Sequence, residues 1–416
     1  MAVWVLPVFL LAFLLRYAVE TALAAANLRH VAAVGGAVPP ALEGRVTAET
    51  ARRARDYALA NGRFGLVSET WSAALTLAVL LSGVLPWLDR RIAGLGLAGA
   101  GRFVAFLAIL SAAFALAGLP FALWRTFVLE ARFGFNRTTW RLWIADQAKG
   151  LALSLAIGLP LAFGTHAFMA GTGRLWWLWL FGFLTAVQVV MLWLYPSLIA
   201  PMFNRFAPLP EGALRARLEA LARDAGFRNR GLFVMDASRR SGHSNAYFTG
   251  IFRPRIVLFD TLVERMSVDE AAAVLAHEIG HYQARHVHKR LVLALAGSLL
   301  ALWVLSLLVA WPPLFAAFGF DGPSFHAALA LFALGGGAFT FFLEPISSWF
   351  SRRNEYESDR YSVRIARAPE ALKSALVKLN GENLANLHPH PWYSRWHYSH
   401  PTLLERLAAI DALTGP

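Results

Sequence analysis

The sequence predicts an α-helical polytopic membrane protein with about seven transmembrane helices and a mostly α, small-β domain outside the bilayer. The 416-residue chain is 57% apolar, and only 16% of its residues are charged. Its mean hydropathy is +0.48, so it carries more apolar surface than a soluble fold can bury. Seven apolar stretches each approach the roughly 20 residues that cross a hydrocarbon core of about 30 Å. A longer polar segment separates the fifth stretch from the sixth.

The apolar stretches define the predicted spans and the division of the chain. We place the spans near residues 3–27, 66–87, 103–124, 150–170, 175–200, 291–312 and 326–348. The first resembles a signal peptide only in its position, because its apolar run is too long and no basic region precedes it. The predicted segments are 1–202 with five spans, 203–290 outside the bilayer, 291–348 with two spans, and 349–416 after the last span.

Basic residues are concentrated in the loops on one side of the predicted membrane. Loops 28–65 and 125–149 carry eleven Arg and Lys residues, and the opposite loops carry four, Arg90, Arg91, Arg102 and Arg174. By the positive-inside rule the first side faces the cytoplasm, together with the polar segments. The net charge of +13 follows these loops, so we do not expect a nucleic-acid partner. The absence of cysteine excludes disulfides and thiol chemistry.

Arg16 and Glu20 lie within the first predicted span. Isolated charges are costly in a bilayer, so we expect this i, i+4 pair to meet in the bundle interior. A structural ion pair is favoured over a substrate contact.

The polar segment 203–290 has the patterns of a small mixed α and β unit. They predict a helix over 210–225, a strand over 231–235, and a hairpin of 244–250 with Arg255–Phe259 around Phe252-Arg253-Pro254. A strand at the sheet edge could hold an extended peptide by main-chain hydrogen bonds.

The motif His277-Glu278-x-x-His281 carries the strongest chemical signal. Ser267 and Glu270 form a predicted capping box ahead of it, followed by good helix formers. Two histidines four apart share a helix face and can bind one metal ion, with Glu278 beside it. Tetrahedral zinc with an open fourth position lowers the pKa of bound water to roughly 7, and a neighbouring carboxylate can accept its proton. The motif predicts a zinc hydrolase core; the alternative is a surface helix with chance histidines.

A third ligand is predicted downstream, where Glu355 and Asp359 lie one helical turn apart. We expect Glu355 to complete the site for one Zn²⁺ per chain. Asp359 would accept the outer ring N–H of His277 and raise the basicity of that ligand. The alternative is a solvated, salt-bridged helix face, which the first motif disfavours.

Further motifs accompany the two metal motifs along most of the chain. They are Gly134-Phe-Asn-Arg-Thr-Thr139, Tyr195-Pro-x-Leu-Ile-Ala-Pro-x-Phe-Asn204, Ser241-Gly-His-Ser-Asn-Ala-Tyr-Phe248, Arg255-Ile-Val-Leu-Phe-Asp260, Ser351-Arg-Arg-x-Glu355 and His397-Tyr-Ser-His-Pro-x-Leu-Leu-Glu-Arg406. Together with the metal motifs they resemble the gluzincin metallopeptidases and, more closely, the type I CaaX prenyl proteases. Asn354 and Ser358 stand where eukaryotic members often carry an aromatic residue and an alanine, a difference that leaves the metal ligands intact.

The resemblance implies a gluzincin-like zinc protease domain, spans that enclose a water-filled chamber, and cleavage of prenylated CaaX tails. It favours Asn245 as a substrate contact beside the metal over a turn-capping asparagine. His400, before Pro401 at a predicted helix start, could hydrogen-bond the oxyanion of a tetrahedral intermediate. Arg406 is expected to brace this region, and His286 and His288 are weaker candidates for a second metal site.

We therefore predict an integral-membrane zinc metalloendopeptidase that cleaves short C-terminal, CaaX-type peptides. Glu278 would act as the base. The partners of the protein would be a peptide or lipidated protein-tail substrate and the lipid bilayer. One alternative is a quality-control protease for membrane proteins, which seven spans disfavour. Another is a non-catalytic scaffold or transporter with a structural zinc, although structural sites fill all four positions with protein ligands. A composition rich in Ala, Leu and Arg fits a bacterial inner membrane.

Overall fold

The computed structural model describes residues 4–227, 231–249 and 254–414. Within these ranges, seven helices are long and apolar enough to cross a membrane, which confirms the predicted fold class. Five of the seven lie in the first half of the chain, whose helices are α1 (Val5–Val34), α2 (Ala48–Leu81), α3 (Val84–Gly94), α4 (Gly99–Trp124), α5 (Trp140–Gly171), α6 (Trp176–Leu194) and α7 (Ala200–Phe203).

The second span differs most from its predicted bounds of 66–87. Helix α2 begins at Ala48, where the Thr47 side chain accepts a hydrogen bond from the Thr50 amide. It ends before Gly83, whose φ of 75° is a left-handed conformation that glycine adopts without strain. The apolar residues after Gly83 belong to the separate helix α3. Hydropathy missed the helical first half of α2 because that half is polar.

Two spans continue into π-helical turns at the ends that lie near the polar segment 203–290. Helix α4 is followed by a π-helical turn over Arg125–Glu130, and α6 by one over Tyr195–Ile199. Such turns often occur at functional positions. Each of these two turns lines a cavity.

A four-stranded sheet lies between the fifth and sixth spans. It is formed by β1 (Phe206–Pro208), β2 (Leu232–Met235), β3 (Ala246–Thr249) and β4 (Arg255–Phe259), in the order β1-β2-β4-β3. Strands β2 and β4 are parallel, and the other two pairings are antiparallel. The predicted strand and hairpin are thus confirmed, β1 was not anticipated, and the hairpin turn at 250–253 lies outside the described residues. Strand β3 is at the sheet edge in the part of the chain described.

Helix α8 (Ala213–Asp224) confirms the helix expected over 210–225. After the sheet come α9 (Asp260–Arg265) and α10 (Val268–Gln283), and α10 carries the His-Glu-x-x-His motif. The Ser267 side chain accepts from the Glu270 amide and the Glu270 side chain accepts from the Ser267 amide, which confirms the capping box. Helix α10 ends before Arg285, whose φ is 55°.

The remaining helices form two spans and the cover of the motif helix. They are α11 (His286–Val309), α12 (Pro312–Ala317), α13 (Phe325–Thr340), α14 (Glu344–Ala366), α15 (Pro369–Glu382), α16 (Pro391–His397) and α17 (Leu403–Thr414). A 3₁₀ turn over Phe341–Leu343 joins α13 to α14. The seventh span therefore passes directly into the helix that carries Glu355.

Helices α10 and α14 cross in close contact. A Cβ atom on Gly280 would lie 3.0 Å from Ser358 Cα and 3.1 Å from Tyr361 Cβ, so a side chain here would force the two helices apart by a few tenths of an ångström. The Ser362 hydroxyl donates to the Ala273 carbonyl across the same interface, at 2.7 Å. The crossing fixes the third predicted ligand relative to the first two.

The charge pair in the first span is confirmed, and a third charged side chain, Glu69, joins it. Arg16 Nη2 lies 2.7 Å from Glu20 Oε2 and 2.6 Å from Glu69 Oε1 of α2. One guanidinium thus links α1 to α2, which compensates charges that would be costly in isolation.

Candidate metal centre

His277 and His281 of α10 and Glu355 of α14 converge on one point. The two histidine Nε2 atoms are 3.1 Å apart. Glu355 Oε2 lies 3.3 Å from His277 Nε2, and Glu355 Oε1 lies 3.2 Å from His281 Nε2. The ligand atoms of all three residues lie within 4.8 Å of one another. The structure thus brings together the three side chains that sequence analysis selected as ligands.

Asp359 lies behind His277, one turn after Glu355 on α14. Its Oδ1 is 2.8 Å from His277 Nδ1. Arg406 of α17 holds the same carboxylate with two hydrogen bonds, from Nη2 at 2.5 Å and from Nε at 2.8 Å. Burial lowers the pKa of His277, but the neighbouring carboxylates of Asp359 and Glu355 outweigh it and raise the pKa to about 9. Because the Asp359 carboxylate can only accept, His277 donates from Nδ1, and its Nε2 faces Glu355.

His286 lies behind His281 in a corresponding position. The Nδ1 atoms of the two rings are 3.0 Å apart, and His286 Nε2 is 3.2 Å from Glu357 Oε2. A carboxylate only accepts, so His286 donates from Nε2 and accepts at Nδ1 from His281. His286 is thus a hydrogen-bond partner of His281, one of the three candidate metal ligands. Among the described residues, the one group of side chains that could hold a metal ion is His277, His281 and Glu355. It includes neither His286 nor the exposed His288, contrary to the expectation of a second site.

The donor set fits a zinc ion. Glu355 is 2% exposed, and the contact of its buried Oε2 atom with His277 Nε2, at 3.3 Å, lacks the geometry of a regular hydrogen bond within the described residues. Leaving a carboxylate oxygen in that state is costly, and a cation would compensate it. Two imidazole nitrogens and one carboxylate, with one open position, are typical of catalytic zinc sites.

Glu278 lines the same cavity as the two histidines. The cavity has a volume of about 690 Å³, and Glu278 forms no hydrogen bond or ion pair with any described residue. Burial raises the pKa of its carboxyl group, although the neighbouring histidines oppose that effect. A carboxylate with a raised pKa is a stronger base than one in water.

Edge strand β3 and two spans complete the cavity. Its walls include Asn245 and β3, the π-helical turn at Tyr195, Leu192 of α6 and Arg290 of α11. The exposed Asn245 accepts from the Ala246 amide through Oδ1, at 2.8 Å, and its side-chain nitrogen has no hydrogen-bond partner in the described chain. Asn245 thus makes the local turn contact and also lies at the cavity.

His400 approaches the centre from the C-terminal segment. Its Nε2 is 3.4 Å from Glu355 Oε1, its Nδ1 is 3.0 Å from Ser399 Oγ, and its side chain is 63% exposed. Sequence analysis assigned no role to Arg352, whose Nη1 donates to the carbonyls of Tyr398 at 2.7 Å and Arg395 at 3.1 Å. Arg352 thereby ties the segment that carries His400 to α14. Sequence offers no local signal for a contact across 46 residues.

The seven spans and the buried His-His-Glu centre define a polytopic membrane metallopeptidase. Residues 27–205 match the family described as "CAAX prenyl protease N-terminal, five membrane helices", and residues 208–414 match "Peptidase family M48". The chain is 37% identical to "CAAX prenyl protease 1 homolog" of Oryza sativa subsp. japonica over 383 residues, 90% of either protein.

Relatives from fungi and animals extend this similarity. "CAAX prenyl protease 1" of Saccharomyces cerevisiae is 34% identical over 90% of this chain and 88% of its own. The Homo sapiens homolog is 32% identical over 90% and 89%. The crystal structure of S. mikatae Ste24p superposes with a TM-score of 0.91 at 32% identity, covering 97% of this chain and 98% of that one. The chain belongs to the CAAX prenyl protease 1 family of M48 metallopeptidases, which confirms the resemblance drawn from its motifs.

Proposed function

We propose that this protein is a zinc-dependent endopeptidase that removes the last three residues of prenylated CaaX tails. The observation that carries the proposal is that Glu278, edge strand β3 and the His-His-Glu centre line one cavity. That cavity extends to the spans α6 and α11, from which a lipid-anchored tail could approach. Relatives named CAAX prenyl protease support the substrate class.

The proposed chemistry begins with the metal ligands and the base. One zinc ion per chain, held by His277, His281 and Glu355, would polarise the scissile carbonyl and acidify a water molecule. Glu278 accepts the proton of the attacking water and passes it to the leaving amine. Asp359 keeps His277 in the tautomer that presents Nε2 to the centre, at the 2.8 Å contact described above.

Three groups would position the substrate and its developing charge. Strand β3 pairs with the extended peptide through main-chain hydrogen bonds. The free side-chain nitrogen of Asn245 donates to a peptide carbonyl. His400 Nε2 lies 3.4 Å from the Glu355 carboxylate, which only accepts, so this nitrogen would carry the proton and could stabilise the oxyanion, while Nδ1 would accept from the Ser399 hydroxyl.

The proposal also includes an orientation and a membrane. The catalytic side faces the cytoplasm, supported by the eleven basic residues in the loops on that side against four on the other. A composition rich in Ala, Leu and Arg supports the plasma membrane of a bacterium.

The test is cleavage of a farnesylated CaaX peptide by purified protein in detergent. We expect release of the C-terminal tripeptide, loss of activity with a chelator, and recovery when zinc is restored. The same peptide without its farnesyl group measures the contribution of the lipid. Bound zinc without any peptide cleavage would favour the scaffold, and equal cleavage of misfolded membrane proteins would favour quality control.

A further inference from the structure

A second cavity lies apart from the metal centre, between α2 and the C-terminal end of α4. It has a volume of about 790 Å³ and shares no lining residue with the catalytic cavity. Its wall is mainly apolar and includes Phe64, Val67, Phe121, Trp124 and Val128. We call this cavity the α2–α4 groove.

The groove opens between two membrane spans. Val67 is 62% exposed and Trp124 is 57% exposed, although both belong to helices that are apolar enough to cross a bilayer. Pro120 and the π-helical turn over Arg125–Glu130 interrupt regular α-helical geometry along the same wall. Both features disturb the regular backbone hydrogen bonds of the helix at this wall. Because this exposed apolar wall lies between two membrane spans, we expect an apolar ligand in the groove.

The lining of the α2–α4 groove includes uncompensated positive charge. Arg63 and Arg132 line the groove, are exposed, and form no ion pair or hydrogen bond with any described residue. Arg132 only contacts the ring of Phe133, at 5.7 Å from its centroid. The lining carboxylate, Asp56, is already paired with Arg55, whose Nη2 lies 2.8 Å from Oδ1. The groove therefore presents two cations to a ligand.

The position of these cations matches a lipid head group. Arg63 and Arg132 lie within the ranges 28–65 and 125–149 that hold the excess of basic residues, on the side predicted for the polar segments. Basic pockets between transmembrane helices on the cytoplasmic side are typical binding sites for anionic head groups. Guanidinium groups bind phosphate oxygens with paired hydrogen bonds.

We propose that the α2–α4 groove binds a phospholipid with an anionic head group. An acyl chain lies along Phe64, Val67 and Phe121, and the head group contacts Arg63 and Arg132. A zwitterionic lipid fits less well, because the ammonium group of its head group adds a third positive charge beside Arg63 and Arg132. The prenyl chain of a substrate would leave both cations without a partner.

The test compares phosphatidylglycerol with phosphatidylcholine of the same acyl chains. Full-length protein in detergent is titrated with each lipid, and bound lipid is counted by native mass spectrometry. The double variant R63Q/R132Q should bind phosphatidylglycerol roughly 10- to 30-fold more weakly, the effect of two cations near an anionic lipid. The matched control R29Q/R141Q removes two exposed, unpaired arginines outside the groove and should change binding less than twofold.

A second variant tests the apolar part of the groove without changing charge. Val67→Trp should fill the groove and displace the lipid while chelator-sensitive peptide cleavage persists, which shows that the protein is folded. Equal binding of both lipids by the unmodified protein would overturn the proposal. So would equal losses in R63Q/R132Q and its control, or displacement of the lipid by farnesylated peptide at the concentrations that saturate cleavage.

Discussion

Glu278 is the side chain on which the proposed chemistry most directly depends. It lines the cavity, it has no partner among the described residues, and burial raises its pKa. We predict that Glu278→Gln retains the metal and the fold but lowers the cleavage rate by several orders of magnitude, because an amide cannot accept the proton. Initial rates and elemental analysis of the same preparation measure both effects.

The matched control for Glu278→Gln is His281→Ala, which removes a ligand three residues away. This variant should lose bound zinc as well as activity, since two protein ligands hold the ion much less tightly than three. Near-normal turnover by Glu278→Gln would assign proton transfer to another residue. Full zinc occupancy in His281→Ala would contradict the ligand set.

Individual ligands could be predicted from sequence where a local spacing encodes them. The spacing of His277 and His281 places both on one helix face, and the structure brings them within 3.1 Å of each other. The contact of His286 with Glu357 joins residues 71 positions apart and has no such signature. The partner of His277 was predictable only because Asp359 lies one turn from Glu355.

The crossing of α10 and α14 is the element that assembles the centre. Glycine at position 280 allows the approach, because a Cβ there would lie 3.0 Å from the backbone of Ser358. We predict that Gly280→Ala displaces α14 together with Glu355, weakens zinc binding at least tenfold, and destabilises the fold by about 1–3 kcal/mol. Zinc titration and thermal unfolding in detergent measure the two effects.

Ser358→Ala is the matched control on the opposite side of the same contact. The Ser358 hydroxyl is buried and has no hydrogen-bond partner in the described chain. Its removal should leave zinc binding unchanged and raise the free energy of unfolding by up to about 1 kcal/mol. If Gly280→Ala bound zinc as tightly as Ser358→Ala, the close crossing would not determine the position of Glu355.

The start of α10 provides a prediction of pH dependence. Burial raises the pKa of Glu270, but hydrogen bonds from Lys378, Ser374 and the Ser267 amide outweigh it, so the folded pKa is below 4.5. A lowered pKa means that the carboxylate stabilises the fold above pH 4.5 and that this contribution is lost as the pH falls through the folded value. Glu270→Gln should therefore lower the melting temperature at pH 7, and the difference from the unmodified protein should shrink toward pH 4. A difference independent of pH would exclude the charge as its cause.

Elements with a strong local signal were predictable, and those set by backbone conformation or distant contacts were not. Ser267 and Glu270 mark the start of α10, and a continuous run of four apolar residues marks β4. The break between α10 and α11 depends on the left-handed conformation of Arg285, a residue type that gives no such signal. Strand β1 has three residues and exists because β2 pairs with it.

At the scale of the whole molecule, the seventh span connects the bilayer to the metal centre. Glu355 lies eleven positions after Glu344, the first residue of α14, a distance of about 16 Å along a helix. The other side of the centre differs, because α10 and the sixth span are separate helices around Arg285. On the α14 side, an unbroken helix therefore leads from the turn that ends α13 to the centre.

This arrangement limits which proteins can be cleaved. The catalytic cavity of about 690 Å³ is lined by α6 and α11 as well as β3, so a substrate must present an extended segment in the space between spans and sheet. We predict that a short farnesylated tail on a flexible linker is cleaved rapidly. The same residues within a rigid folded domain should be cleaved at least 100-fold more slowly, because unfolding the domain must precede pairing with β3.

The measurement uses one folded carrier protein that ends in the target tail, either after a flexible linker or as part of its last folded strand. Both forms carry the same residues and the same free C-terminus, so a difference in rate reports access and not side-chain preference. Destabilising the carrier should raise the rate for the folded tail in proportion to its unfolded fraction. Equal rates for both placements in a stable carrier would show that the cavity is open to folded proteins and that the spans do not restrict its substrates.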